Sequence, residues 1–171
     1  MKIKLNEIED ELVKQVAKAR TAISRKDGVP NQKISEADDF EVEYVGMAGE
    51  VAVAKAMNVF PDLSIHSRSG GYDLMSAQGN RVEVKTTRYH SGKLVARLKA
   101  SAKDSDYYVL VTGNPPNMTL RGHVRTEDFL REVNIGKLSD DAPEAYILPQ
   151  EALTEWHSQQ RKQEHSTNKS S

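Results

Sequence analysis

The sequence predicts a single domain of the α/β or α+β class, with a mixed β-sheet flanked by helices. Three observations predict it: two helical segments near the N-terminus, alternating strand-like runs after residue 70, and the near-continuous apolar run DYYVLVTG that begins at Asp106. An apolar run of this kind is typical of a strand that is buried on both faces. A chain of 171 residues is long enough to bury one such core.

Two helices are expected before the first strand. Apolar residues recur at helical spacing after the N-cap pair Asn6 and Glu9, which predicts a first helix over about residues 6–25. The segment RKDGVPN then interrupts the helix. A second helix starts after Ser35 and ends near Asn58, and its sequence GMAGEVAVAKA is rich in small residues that allow another element to pack closely.

The remaining elements are mostly short strands. YDLMSA and RVEVKTT alternate between polar and apolar residues and are separated by Gly79 and Asn80, which predicts a hairpin. A weak strand, LSIHS, precedes them, and KLVARL and TLRGHVRT are further strands. LKASAKDS is the candidate for a helix before the buried strand, TEDFLREV is a short helix, and EAYILPQEAL is a strand that enters a last turn. The domain is expected over residues 1–157, and the polar residues 158–171 are expected to be disordered.

The composition excludes several classes of protein. Without cysteine, the chain forms neither disulfides nor thiolate zinc sites. The charged N-terminus lacks the apolar segment of a signal peptide, and no apolar run reaches the ~20 residues of a membrane helix. We therefore expect a cytoplasmic protein with no membrane partner. The sequence contains no phosphate-binding loop, dinucleotide fingerprint or G-x-S-x-G motif.

Charge is distributed unevenly along the chain. The net charge is −1 overall, but −6 over residues 36–62 and +6 over residues 81–125. A basic region of this kind can bind phosphate groups, although solvated strand and loop surfaces give the same pattern. The candidates for contact with a nucleic acid lie at the end of the hairpin and in the segment after it: Thr86, Thr87, Arg88, Lys93, Arg97 and Lys99.

The charged residues of the predicted hairpin converge only for some loop lengths. Glu83 and Lys85 are two residues apart in a strand, so they project from the same face. A two-residue loop would place Asp73 opposite Thr86, facing away from them, whereas a three-residue loop over 78–80 would place Asp73 opposite Lys85. Asparagine, the last residue of that longer loop, tolerates the left-handed conformation that the loop requires. The turn chemistry thus permits convergence without demanding it.

Two carboxylates and a lysine on one face suit the chemistry of a divalent cation. Mg²⁺ takes oxygen ligands, commonly one or two carboxylates with water and substrate phosphate. Asp73 and Glu83 would bind the metal with the Val84 carbonyl, and Lys85 would orient or deprotonate an attacking water or stabilise charge on the phosphate. Glu50, in the helix of small residues, would add a further acid. The competing interpretation is a solvated hairpin edge, because an E-x-K alternation is common on exposed strands.

Glu50 on a helix, Asp73 in GYDL and the EVK sequence of residues 83–85 together resemble the PD-(D/E)XK nuclease superfamily. The motif of that superfamily is a helix glutamate, an aspartate at the start of one strand, and E-x-K on the next strand. Its restriction-endonuclease-like core, αβββαβ, matches the predicted order of elements over residues 36–125, with the first helix as an N-terminal addition. Tyr72 stands where many members have proline.

The resemblance implies a metal-dependent phosphodiester hydrolase. Asp73 and Glu83 would be ligands of Mg²⁺ or Mn²⁺, Lys85 the catalytic lysine, and Glu50 an outer acid that acts through water. We expect an endonuclease that acts on nucleic acid, with DNA favoured over RNA. Cutting both strands of a duplex would require a homodimer or two events. The alternatives are a non-catalytic nucleic-acid-binding or assembly protein that keeps the fold, and an interaction module whose hairpin is only a solvated edge.

Overall fold

The computed structural model describes residues 1–26, 38–65 and 71–156. The described residues form three α-helices and eight β-strands. In chain order these are β1 (Lys2–Lys4), α1 (Glu7–Lys26), α2 (Asp39–Met57), β2 (Leu74–Met75), β3 (Arg81–Thr87), β4 (Leu94–Arg97), β5 (Tyr107–Asn114), β6 (Asn117–Arg125), α3 (Thr126–Phe129), β7 (Ile135–Gly136) and β8 (Ala145–Leu148), with 3₁₀ turns at Glu132–Asn134 and Gln150–Ala152. None of the described helices is both long and apolar enough to cross a membrane.

The strands form two sheets, and the larger sheet is mixed. Its order is β1-β6-β5-β3-β2, in which β3 and β5 are parallel and the other neighbours are antiparallel. The smaller sheet has the order β4-β8-β7 and is antiparallel throughout. The predicted class, which combines helices with a mixed sheet, is therefore confirmed.

Side-chain alternation along β3 and β5 separates two hydrophobic cores. Val82 and Val84 on β3 and Val109 on β5 belong to a core shared with α1 and α2 on one face of the larger sheet. Tyr108 and Leu110 point to the other face and pack in a second core with side chains of β4, α3 and the C-terminal segment: Leu94, Ala96, Phe129 and Leu153. The larger sheet consequently lies between the helix pair and the smaller sheet.

The two long helices begin and end where the sequence predicts. α1 starts after Asn6, whose side chain accepts a hydrogen bond from the Glu9 N–H at 2.9 Å, while the Glu9 carboxylate accepts one from the Asn6 N–H. α2 ends at Asn58, which adopts a left-handed conformation with a φ of 53°. The segment 27–37 that joins the helices lies outside the described residues.

Two predicted elements differ in the structure. LKASAKDS forms turns over residues 98–105, all of which are described, so the prediction of a helix before the buried strand is wrong. The Ser101 hydroxyl accepts a hydrogen bond from the Lys103 N–H, which stabilises a turn in place of a helix. KLVARL contains β4 as predicted, but β4 pairs with β8 and not with the larger sheet.

The other strand predictions are confirmed in part. RVEVKTT and DYYVLVTG form β3 and β5, and YDLMSA contributes only the two residues of β2. TEDFLREV is an α-helix only over Thr126–Phe129. The described part of LSIHS, residues 63–65, is not in a strand, and its other residues lie outside the described ranges. The polar tail at 158–171 also lies outside them.

A glycine sets the distance between α2 and β3. A Cβ atom at Gly49 would lie 2.0 Å from the Oγ1 atom of Thr86, closer than real Cβ contacts allow. Gly46, nearly one turn earlier on the same helix, has nothing within 4 Å of a Cβ atom placed there. The small residues of this helix were predicted to allow close packing, and Gly49 is where that packing occurs.

We expect Gly49→Ala to destabilise the protein by about 1–3 kcal/mol, because the added methyl group overlaps a β-branched side chain with few alternative rotamers. Gly46→Ala is the matched control and should be neutral or stabilising by roughly 0.5–1 kcal/mol, since alanine favours a helix interior. Urea unfolding of both variants measures the difference. Equal midpoints for the two variants would show that α2 does not press on β3 at this point.

Candidate active-site cleft

The β2–β3 hairpin brings Asp73 and Glu83 to one cleft. The two strands pair at Leu74–Val82 and Met75–Arg81, and Asp73 directly precedes the first paired residue. Alternation along β3 puts Glu83 and Lys85 on one face of the sheet. This register is shifted by two residues from the one expected for a three-residue loop, in which Asp73 would lie opposite Lys85.

The loop is longer than either predicted loop and closes on a glycine. Residues 76–80 connect the strands, with the Ser76 N–H donating to the Asn80 carbonyl at 2.8 Å and the Gly79 N–H donating to the Ser76 carbonyl at 2.9 Å. Gly79 adopts a left-handed conformation with a φ of 81°, which costs glycine little because it has no Cβ atom. The prediction that Asn80 is the left-handed residue is wrong. Within the paired residues of β2 and β3, side chains face as they would for a three-residue loop, because both loops have an odd number of residues.

The Asp73 carboxylate completes the hydrogen bonding of β3. β2 covers only two residues and does not extend to the position opposite Val84. The Asp73 Oδ2 atom accepts a hydrogen bond from the Val84 N–H at 2.8 Å, and the Asp73 N–H donates to the Val82 carbonyl at 3.0 Å. The carboxylate therefore replaces a strand carbonyl and is held in a fixed position at the edge of β3.

Glu83 and Lys85 form an ion pair on the same face. The Lys85 Nζ atom lies 2.5 Å from Glu83 Oε1. The Glu83 side chain is 18% exposed and the Lys85 side chain is 38% exposed, so the pair is shielded but remains accessible to solvent. Burial, followed by the charge of Glu83 and a smaller effect of Asp73, raises the pKa of Tyr108 to about 12. The charges of both acids thus help to raise the pKa of one tyrosine of the second core.

Glu50 reaches the same cleft from the helix layer. It is 4% exposed on α2, and its Oε2 atom lies 3.4 Å from Nη1 of Arg20 on α1. All three acids line a cleft of about 800 Å³, together with Arg20 and the segment at 60–64. Lys85 is connected to this cleft through its ion pair with Glu83. Three of the four residues that the sequence predicted for the site therefore line one cleft, and the fourth, Lys85, is ion-paired to one of them.

Arg20 is a site residue that the sequence analysis missed. The arginine lies on the buried, mainly apolar face of α1. The buried residues of this face are Val13, Val16, Ala17, Arg20 and Thr21. A charged residue at an apolar position is the signal that could have found it. Its partner Glu50 lies on a different helix, so the contact depends on tertiary packing.

Two of the six residues predicted to contact nucleic acid point to opposite sides of β3. Thr86 faces α2, and its Oγ1 atom is buried without a hydrogen-bond partner among the described residues. Thr87 lies against the following loop, where a Cβ atom at Gly92 would be 2.3 Å from its methyl carbon. The Thr87 Oγ1 atom accepts a hydrogen bond from the Tyr89 N–H at 3.3 Å. The two hydroxyls are therefore not placed to contact one phosphate together.

The four basic residues of that prediction are not among the residues that line the cleft. Arg88 pairs with Glu41 of α2 at 3.1 Å. The other three are exposed residues on or next to β4, in the smaller sheet: Lys93, Arg97 and Lys99. Their contact with a nucleic acid stays a prediction.

The donor set of the cleft consists of oxygen atoms. Asp73 and Glu83 offer adjacent carboxylates, and Glu50 offers a third, which Arg20 contacts. Such donors fit Mg²⁺ or Mn²⁺ by their chemistry. Across the described residues, no group of three or more His, Cys, Asp or Glu side chains is arranged to hold a metal ion. The cleft therefore offers a pair of carboxylates, and water and phosphate would have to supply the remaining ligands.

No protein-family model matches the chain, and no curated protein matches it. The roles of the cleft residues are therefore inferred from their contacts in this chain. Those contacts define an acidic cleft in which one lysine and one arginine are ion-paired to two of the three acids.

Replacing Asp73 separates its structural role from its charge. Asp73→Ala leaves the Val84 N–H without its acceptor, and we expect the free energy of unfolding to fall by about 1–3 kcal/mol. Asp73→Asn keeps an oxygen acceptor and should lose much less. Urea unfolding gives both values, and hydrogen exchange at the Val84 amide should be faster in Asp73→Ala alone. Wild-type stability in both variants would contradict the anchoring role.

Proposed function

We propose that this protein is a divalent-metal-dependent nuclease of the PD-(D/E)XK superfamily that hydrolyses phosphodiester bonds in nucleic acid, with DNA favoured. The observation that carries the proposal is that Asp73 and Glu83 line one cleft together with Glu50. Lys85 is ion-paired to Glu83 at the same place. The shared cleft supports the proposal more strongly than the order of these residues in the sequence does.

The arrangement around β3 supports a restriction-endonuclease-like core. β3 pairs on one side with the strand that follows Asp73 and on the other, in parallel, with the buried β5. α2, which carries Glu50, shares a core with the Val82 and Val84 side of the sheet. The described residues depart from αβββαβ in two respects, because 63–65 form no first strand and 98–105 form no second helix.

Each residue has a role that its contacts support. Asp73 and Glu83 would hold Mg²⁺ or Mn²⁺, and a cation bound there supplies Lewis-acid stabilisation of charge on the phosphate. The N–H and C=O groups of a strand residue point to the same side, so the Val84 carbonyl points toward Asp73, as its N–H does, and would be a third oxygen ligand. Lys85 would orient or deprotonate the attacking water. Glu50 would orient water from the helix side of the cleft.

A second candidate is a nucleic-acid-binding protein that keeps this fold without cutting. It is favoured by the ion pair that engages Lys85 with Glu83. It is also favoured by the absence, in the described part of the chain, of a group of three acids or histidines arranged for a metal. The two candidates differ in whether nucleic acid is hydrolysed when a divalent cation is added.

We expect cleavage that depends on Mg²⁺ or Mn²⁺ when the protein is incubated with single-stranded, duplex, branched and RNA substrates. Lys85→Ala should lower the rate by a factor of roughly 10²–10⁴, the range for loss of a positioned acid–base group. Lys137→Ala is the control, since Lys137 is an exposed lysine that does not line the cleft. On a supercoiled plasmid the first product should be the nicked circle, because one cleft cuts one strand.

Three outcomes decide between the candidates. Cleavage that requires a cation, and that is lost in Lys85→Ala but kept in Lys137→Ala, supports the nuclease. Binding without cleavage in the presence of either cation would favour the non-catalytic protein. Cleavage that is unchanged by Lys85→Ala would indicate a contaminating nuclease and would overturn the assignment of the site.

A further inference from the structure

Arg20 is a buried cation whose three contacts all lie at the cleft. It extends from α1 and is 7% exposed. Its Nη1 atom lies 3.4 Å from Glu50 Oε2, Nη2 donates to the Asp62 carbonyl at 2.9 Å, and Nε donates to the Ser64 carbonyl at 3.2 Å. One guanidinium group thus joins α1, α2 and the segment that lines the cleft.

Arginine suits this position because its planar guanidinium group offers several donors in fixed directions. Removing such a cation from water is costly unless its donors are satisfied. The neighbouring buried residues of α1, Val13, Val16 and Ala17, have apolar side chains that cannot accept hydrogen bonds. The acceptors come instead from the Glu50 carboxylate and two backbone carbonyls, and the arginine in turn restricts where those groups lie.

We propose that Arg20 is a positioning residue for Glu50, which holds the carboxylate at the cleft and fixes the 62–64 segment beside it. This inference rests on the proposed nuclease function, because Glu50 is the acid on which Arg20 acts. α1 is an addition to the restriction-endonuclease-like core, so the residue that positions Glu50 lies outside that core.

Loss of Arg20 has two effects on cation binding, and they have opposite signs. Arg20 is a positive charge that lines the same cleft as three carboxylates, so its removal strengthens the binding of a divalent cation if only its charge matters. If Arg20 fixes the position of Glu50, its removal weakens cation binding, because disturbing the groups that surround and orient the ligands of a metal costs roughly 10–100-fold in affinity or activity. The sign of the change distinguishes positioning from charge compensation.

Binding of Mn²⁺ alone, followed by electron paramagnetic resonance of the free ion, tests the proposal on the full chain without substrate. Arg20→Gln should bind Mn²⁺ roughly 10–100-fold more weakly than wild type. Arg20→Lys keeps the charge but replaces the planar guanidinium, whose donors have fixed directions, with a compact ammonium group, so its affinity should lie between the two. Arg81→Gln is the matched control, because Arg81 also pairs with a carboxylate, that of Asp106 at 2.9 Å, and neither residue lines the cleft.

A double-mutant cycle shows whether Arg20 acts through Glu50. In a Glu50→Gln background, Arg20→Gln should change the Mn²⁺ affinity by less than about 2-fold, because the carboxylate that it positions is already gone. Thermal unfolding without cation shows which variants are folded. If Arg20→Gln is not folded, Arg20→Lys replaces it in the same cycle.

The remaining outcomes overturn the inference. Unchanged or tighter Mn²⁺ binding by Arg20→Gln would leave charge compensation as the role of Arg20, and additive losses in the cycle would show that Arg20 does not act through Glu50. If either result is obtained with a wild type that binds Mn²⁺ and cuts nucleic acid, the nuclease proposal stands and only this inference fails. A wild type that neither binds Mn²⁺ nor cuts would overturn both.

Discussion

The parallel pairing of β3 with β5 is the constraint on which the rest of the structure depends. Parallel neighbours need a crossover of a dozen or more residues, so residues 88–106 must leave the larger sheet and return to it. On the way they form β4, which pairs with β8 and helps to bury Tyr108 and Leu110 in the second core. The crossover thus contributes to the smaller sheet, and that layer is what buries the second face of β5.

The site depends on β2 being short. A longer β2 would satisfy the Val84 N–H with a backbone carbonyl, and the Asp73 carboxylate would have no donor there. Because β2 begins only at Leu74, the Asp73 side chain takes that place. Lys85 and Arg20 each pair with one of the acids, which offsets part of the repulsion between carboxylates in one cleft.

Local patterns predicted the helices and the central strands, because the signals that define them lie within a few residues. The cap at Asn6 is such a signal. The facing of Asp73 was left open, since it depends on a turn that closes at Gly79. The pairing of β4 with β8 joins Leu94 to Leu148, and no local pattern specifies a partner at that distance. Arg20 was missed for the same reason, because the acceptors that justify its burial belong to other segments.

The pairing of β1 with β6 sets an order for the assembly of the molecule. Lys2 lies opposite Thr119, so the first strand has no partner in the larger sheet until β6 has been synthesised. Contacts between residues far apart in the sequence form more slowly than local ones. During translation, α1, α2 and the hairpin emerge before β5 and β6, and α1 and α2 can then pack only against each other and the hairpin. The residues that line the acidic cleft all lie between Arg20 and Glu83, so every one of them is synthesised before β5 and β6.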